Sequence, residues 1–428
     1  MIYRLQELGL EGNYLHVIDS FLTKREISLK INNHIHPATK CQIGLPQGSV
    51  LSPLLFIIYI RDMLSSIDGT GLQYADDCTV LMTGKDSSEL QIRIENNCQQ
   101  IQTWMDRWNL LINYQKTEIV VFNGDITPPI INANTIQIST SSKVLGITVD
   151  DHLTFEKQYS ISTKCLTQRM NMLKPFIYAG LSPDISKKIL TQVIMPKALY
   201  GASLWDYKTT ISLHTYIKLL LGAHYNPPTE SLHLLANIPP VNLVYTKERL
   251  QLIRGLVKTD NVSMLSDTPR SAITLKFMSD IKKLVHRTTK LTDLRPVDLT
   301  RHKITNCIQK EWTRQWNAQL ANGMCPYGIL PVLEPEHLFH QPLPLNNWRK
   351  DVGALCDLLT GHSRLLSFQY RINLTYTPVC TCLIEEETAY HYMYLCADYD
   401  AARAHTNPST DNWESVISFL NLTRRLMF

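Results

Sequence analysis

"LQYADDCTVLM", Leu72 to Met82, places two adjacent carboxylates inside a run that is otherwise uncharged and rich in apolar residues. Strand-forming residues flank the pair on both sides, so the stretch is expected to fold as a hairpin with Asp76 and Asp77 at or near its turn. Two like charges held this close disfavour each other's ionisation unless something neutralises them. A divalent cation does so. Oxygen ligands suit Mg²⁺, which keeps several waters and takes one or two carboxylates together with substrate phosphates. The plain alternative is an Asp-Asp surface turn with no chemistry of its own. The apolar flanks weigh against it, because they are expected to bury the hairpin, and an idle buried pair carries an electrostatic penalty.

Working outward, "GLPQGSVLSPLLFIIYIRDM" (Gly44–Met63) reads as a Gly/Pro loop followed by an apolar helix. Gly44 and Gly48 would let backbone approach a nucleotide or nucleic acid, and Gln47 can donate to it, although a simple Gly-Pro turn has the same composition. "ISLKI" (Ile27–Ile31), with turn residues after it, suggests an earlier hairpin. "DSSEL" (Asp86–Leu90) is a capping box that opens a helix running to Trp108. "TEIVVF" (Thr117–Phe122) and "KVLGITVD" (Lys143–Asp150) are strand-like. Hairpins and helices thus alternate to about residue 155 without a regular βαβ repeat, which is an α+β pattern. From Leu166 to Lys258 the periodicity is helical.

Composition sets outer limits. The chain of 428 residues is 44% hydrophobic, with 42 Lys+Arg against 38 Asp+Glu, so any polyanion must be held by local patches. One such patch runs from Arg270 to Arg314, with 11 Lys/Arg against 4 Asp/Glu and Trp312 at its end and Trp316 just beyond; it suits a phosphate backbone as well as a solvated helix face. The longest apolar run, Val50–Ile60, is too short to span a bilayer, and the N-terminal residues lack a secretory pattern. No membrane partner is expected, and the ten cysteines are expected as free thiols or metal ligands.

"YADD" (Tyr74–Asp77) resembles the catalytic box of reverse transcriptases, and "GLPQGSVLSPLLF" (Gly44–Phe56) resembles the loop and helix preceding it in non-LTR, LINE-like retrotransposon enzymes. "INYQKTEIVVF" (Ile112–Phe122) and "KVLGITVDDHLTF" (Lys143–Phe155) are similar to the next two family motifs, in the same order. "MPKALYGASLW" (Met195–Trp205) and "LLLGAHYNPPTESLHLLANIPP" (Leu219–Pro240) resemble, less specifically, the thumb of insect-type members. The resemblance implies a partial polymerase palm over residues 1–160, a helical thumb-like domain over 161–260, a basic helical connection over 261–330 and a Cys/His segment over 331–428. It implies an RNA-directed DNA polymerase acting inside the cell, in the nucleus, on an RNA template, a DNA primer and dNTPs with Mg²⁺ or Mn²⁺. Asp76 and Asp77 would hold the metals and Lys116 would assist the leaving pyrophosphate. Gln47 and Gly48 would line the nucleotide pocket, Tyr74 would lie under the primer end, and Leu145 and Gly146, placed on a strand with Ile147, would grip the primer.

The family's third carboxylate, from a strand before the Gln47 loop, has no evident counterpart among Glu7, Glu11, Asp19, Glu26, Asp62 and Asp68. Relatives carry a segment like "IYRLQELGL" just after that aspartate, so the chain is expected to begin past it, as an N-terminally truncated fragment, and not to polymerise as it stands. The alternative is a non-catalytic nucleic-acid-binding remnant. Near the other end, Cys380, Cys382, His391 and Cys396 form C-x-C-x8-H-x4-C. Three thiols and an imidazole are the ligand set of structural Zn²⁺, though the spacing departs from the usual C-x2-C. The interval Pro240–Trp312 shows no strand-borne acidic set, and RNase H activity is not expected.

Overall fold

The computed structural model describes residues 1–41, 43–205, 212–258, 300–347 and 349–426. Most of the basic segment Arg270–Arg314, and of the interval read for RNase H, lies outside the described residues. The chain folds as two compact units, Met1–Thr154 and Phe155–Phe428. It mixes helix and strand, as the α+β pattern requires.

In the first unit, α1 (Ile2–Glu7) and α2 (Gly12–Leu22) precede a nested pair of hairpins. β1 (Arg25–Ile27) pairs with β4 (Thr39–Cys41), and inside them β2 (Lys30–Ile31) pairs with β3 (His34–Ile35). Then come α3 (Leu51–Ile60), the hairpin β5 (Thr70–Tyr74) and β6 (Asp77–Leu81), and α4 (Ser87–Arg107). The capping box forms: Asp86 accepts from the Glu89 N–H at 2.8 Å, while Glu89 reaches back to the Lys85 N–H at 3.1 Å. The rest is short strands. β7 (Glu118–Ile119) and β10 (Gln137–Ile138) run parallel, β8 (Ile130–Ile131) and β9 (Asn134–Thr135) form a hairpin, and β11 (Ser141–Val144) pairs with β12 (Ile147–Asp150).

Two ion-paired clusters hold this unit's helices. The Arg4 guanidinium lies 3.5 Å over the Trp108 ring and donates to both Asp62 oxygens at 2.9 and 2.7 Å, while Trp104 Nε1 donates to Asp62 at 3.2 Å. α1, the end of α3 and the end of α4 are thereby tied together. Asp68, just before β5, takes Arg93 of α4 in both carboxylate oxygens at 2.6 and 2.7 Å. Its backbone exchanges two hydrogen bonds with the buried Asn97 side chain. The carboxylate hairpin is therefore pinned to α4 at its base.

Three expectations are corrected. The hairpin is not buried: Leu72 is 52% and Tyr74 68% exposed. Among the described residues every ladder is two-stranded, so no third strand extends the hairpin, and with most of its residues exposed the penalty argued for an idle buried pair does not apply. "TEIVVF" forms strand only at Glu118–Ile119. Leu145 and Gly146 are not on a strand; they are the two-residue tip of the β11–β12 hairpin, with φ of +47° and +88°. Both central residues of such a twist-matched turn need left-handed backbone, which suits Gly146 and strains Leu145.

The second unit is helical around one apolar core. It contains α5 (Glu156–Tyr178), α6 (Pro183–Ile189), a π-turn over Leu190–Ile194, α7 (Met195–Ala198), α8 (His214–Leu221), α9 (Thr229–Ala236) and α10 (Val241–Lys258). It continues with α11 (Arg301–Ala321), α12 (Pro335–His340), α13 (Arg349–Thr360), α14 (Leu366–Arg371), α15 (Asp400–Thr406) and α16 (Trp413–Thr423). α13 runs through the middle, with every residue from Asp351 to Thr360 buried. Trp312 and Trp316, one helical turn apart on α11, are 5% and 1% exposed. They belong to this core, so they cannot serve as stacking platforms for the basic segment. None of the helices described is long and apolar enough to cross a membrane.

Candidate active site and candidate metal centre

The β5–β6 register pairs Tyr74 with Asp77, leaving Ala75 and Asp76 as a two-residue turn with Ala75 at φ +51°. Asp76 thus projects from the tip. The Gly44–Val50 loop approaches it: Ser52 Oγ donates to the Pro46 carbonyl at 2.6 Å, and Gly44 and Gly48 have φ of +82° and +85°. A Cβ at either glycine would meet nothing within 4 Å, so it is backbone conformation and not crowding that calls for glycine. Loop and tip enclose an open cleft of about 510 Å³ whose lining includes Gln47, Gly48, Ser49, Phe56, Ala75 and Asp76. Two stretches nearly thirty residues apart in sequence share it.

Other expected site residues are placed differently. Asp77, the exposed Tyr74, Lys116, Leu145 and Gly146 are not in the lining of this cleft. Lys116 is exposed in a turn, its N–H bonded to the Asn113 carbonyl at 3.0 Å. Partial desolvation of the Cys78 sulfur, then the Asp77 and Asp76 charges, push its thiol up to about 11, so it stays protonated beside the pair. Of the acidic residues before the hairpin, Asp62 and Asp68 are engaged as above, and Glu7 accepts from Arg4 and Arg61 at 3.3 and 3.2 Å. None of the six upstream acids is in the cleft's lining. For magnesium, the lining offers one carboxylate, enough to anchor one hydrated ion and short of a set that would clamp two.

The cysteine-rich segment converges fully. Ligand atoms of Cys380, Cys382, His391 and Cys396 all lie within 4.8 Å of one another. Cys380 and Cys396 sulfurs are 3.5 Å apart, and Cys382 Sγ is 3.3 Å from His391 Nε2. Thiolates at about 2.3 Å from a tetrahedral ion stand about 3.8 Å from each other, so the cluster closes around a metal with small adjustments. The irregular spacing has local causes. Cys380 and Glu385 close a tight turn through the Cys380 N–H and Glu385 carbonyl at 2.9 Å, with Leu383 left-handed at φ +63°, and this brings C-x-C together. His391–Leu395 is a π-turn, in which the Cys396 N–H bonds to the His391 carbonyl at 2.8 Å, so residues five apart face one centre. The Ile384 N–H, opposed by partial burial and aided by the neighbouring thiols and imidazole, draws the Cys382 thiol down to about 7. Burial pushes Cys396 up to about 12, a cost that a cation at the centre offsets.

Sequence reasoning missed two residues here. Glu385 Oε1 lies 2.8 Å from His391 Nδ1. Glu387, buried, accepts from Arg425 at 2.9 and 2.7 Å and from the Leu366 N–H at 2.8 Å. In the sequence both are members of an undifferentiated Glu385-Glu386-Glu387 run, and no local signal separates them.

Residues 2–149 match the family described as reverse transcriptase (RNA-dependent DNA polymerase). Residues 2–149 carry a reverse transcriptase domain. Relatives agree. The chain is 27% identical over 207 residues to a probable RNA-directed DNA polymerase from transposon BS of Drosophila melanogaster, covering 45% of this chain and 23% of that protein. It is 28% identical over 224 residues to the RNA-directed DNA polymerase from mobile element jockey of the same species, covering 48% of this chain and 24% of the relative. A likeness to a retrovirus-related Pol polyprotein from type-1 retrotransposable element R1 of Bradysia coprophila, 24% identical over 379 residues, reaches 84% of this chain and 35% of that protein. It therefore extends beyond the reverse transcriptase domain into the helical unit. The chain spans about a quarter of the length of the first two relatives.

Proposed function

We propose that the first unit is the palm portion of a retrotransposon RNA-directed DNA polymerase, with Mg²⁺ or Mn²⁺ anchored at Asp76 beside a nucleotide floor made by Gln47 and Gly48, and Asp77 next to it at the start of β6. The convergence of Gln47, Gly48 and Asp76 on one cleft carries this reading. Bound there, the ion supplies charge for the transferring phosphoryl group. The chain's own groups would position the reactants: Asp76 fixes the ion at the hairpin tip, Gln47 offers its amide to the incoming nucleotide, and the exposed Tyr74 backs the primer terminus. In the second unit α5, which leaves Lys164, Met172 and Phe176 exposed, supports a thumb-like role along a template–primer duplex. The Cys3His cluster suits Zn²⁺ by donor set, with Cys380, Cys382, His391 and Cys396 as ligands.

In the 428-residue chain we propose duplex binding without extension, because one carboxylate lines the cleft and the upstream acids Glu7, Asp62 and Asp68 are committed to arginines. Two measurements on the purified chain test this. Fluorescence anisotropy with an RNA–DNA hybrid should show binding that weakens steeply with salt, since phosphate contacts release counterions. Primer extension with dNTPs and Mg²⁺ or Mn²⁺ should give no product. Product that disappears in Asp76→Ala would overturn the non-extending reading and place all the required carboxylates within this chain; no salt-sensitive binding at all would overturn both.

A further inference from the structure

We propose that Glu385 is the residue that orients His391 in the Cys3His metal centre, fixing its ring so that Nε2 presents a lone pair to the ion. The inference rests on the reading of the cluster as a metal site and goes beyond its four ligands. His391 is 1% exposed and its two ring nitrogens have distinct neighbours. Nδ1 is 2.8 Å from Glu385 Oε1, and Nε2 is 3.3 Å from Cys382 Sγ on the side where the other sulfurs gather. A carboxylate can only accept, so Nδ1 carries the proton and Nε2 is left as the donor toward the centre. The partner is built into the same turn that makes the ligand pair: the Glu385 carbonyl receives the Cys380 N–H, and Val379 bridges to Glu386 next door. The loop that sets Cys380 and Cys382 together therefore sets the histidine's orientation as well. The other two glutamates of the run have different surroundings: Glu386 pairs with Val379 in an isolated bridge, and Glu387 is turned away to Arg425.

This arrangement makes a claim that charge alone does not. Removing an outer carboxylate that holds a ligating histidine lowers metal affinity about 10- to 100-fold. The experiment uses the full chain with Zn²⁺ competed against a chromophoric chelator, and with Co²⁺ as an absorbing substitute. The native chain should bind one Zn²⁺ and give the thiolate–Co²⁺ bands of a tetrahedral site. Glu385→Ala should lose about 10- to 100-fold in affinity and shift those bands, Glu385→Gln should lose less because its amide oxygen still accepts from Nδ1, and Glu386→Ala should match the native chain. Equal affinity for Glu385→Ala and the native chain would overturn the inference. So would equal losses for Glu385→Ala and Glu386→Ala, which would reduce the effect to net charge. Failure of the native chain to bind Zn²⁺ would instead overturn the metal reading itself. Circular dichroism in excess chelator should be the same for all variants, since Glu385 sits at the surface.

Discussion

Ala75 and Leu145 occupy equivalent places in two hairpins, and each holds left-handed backbone that a β-carbon disfavours, at φ +51° and +47°. Such a residue costs about 1–3 kcal/mol and persists where the surroundings over-determine it. At Leu145 burial offsets only part of this, since the residue is 46% exposed. Leu145→Asn, with a side chain that tolerates this conformation, should stabilise the β11–β12 hairpin by about 1 kcal/mol, seen as several-fold slower proteolytic nicking at its tip. If the same variant also weakens hybrid binding, the exposed leucine is kept for contact with nucleic acid and the strain is its cost. The turn at Ala75 and Asp76 was visible in the sequence as a hairpin. The strain was not, because neither Ala nor Leu signals a positive φ.

At the scale of elements, the first unit depends on the Arg4, Asp62, Trp104 and Trp108 junction more than on its strands, which are short and paired only in twos. Burial opposes ionisation of Asp62, but hydrogen bonds and charge from Arg4 outweigh it and hold the carboxyl below its ordinary 3.8. A depressed folded-state pKa means that the contribution is complete above the unfolded value and is lost as pH falls through the lower folded value. Hydrogen exchange in α1 and at the end of α4 should therefore accelerate only below about pH 4. Asp62→Asn should remove the pH dependence and cost about 1–2 kcal/mol, a moderate figure because Asp62 is 42% exposed while Arg4 is nearly fully buried. The α4 cap was readable from "DSSEL", because capping is written within four residues. The junction was not, because Arg4 and Asp62 are 58 positions apart.

On the scale of the molecule, the second unit is one core from α5 to the C-terminal helix, and the metal turn is bound into it through Glu387. Arg425, past the end of α16, grips this buried carboxylate while α14 caps it with the Leu366 N–H. Arg425→Ala leaves Glu387 short of its counter-charge at a cost of about 3 kcal/mol. Thermal unfolding of this unit should drop by roughly 6–12 °C for its size, with Arg425→Lys recovering part of it. Much of the molecule was legible locally. Strand alternation, the capping box, the glycine loop and the ligand types in "CTCLIEEETAYHYMYLC" all follow from neighbours in sequence, since hairpins, caps and donor chemistry are short-range properties. By itself the sequence determined the α+β character, the likeness to reverse transcriptases and the twelve residues from which active site and metal cluster were expected. Tertiary structure alone decided that the hairpin stays exposed, that Asp76 and not Asp77 meets the Gln47 loop, that Trp312 and Trp316 are core, and which glutamate of three faces the histidine. Those outcomes depend on which distant segments remove water from a side chain, and a pattern along the chain does not encode that distance.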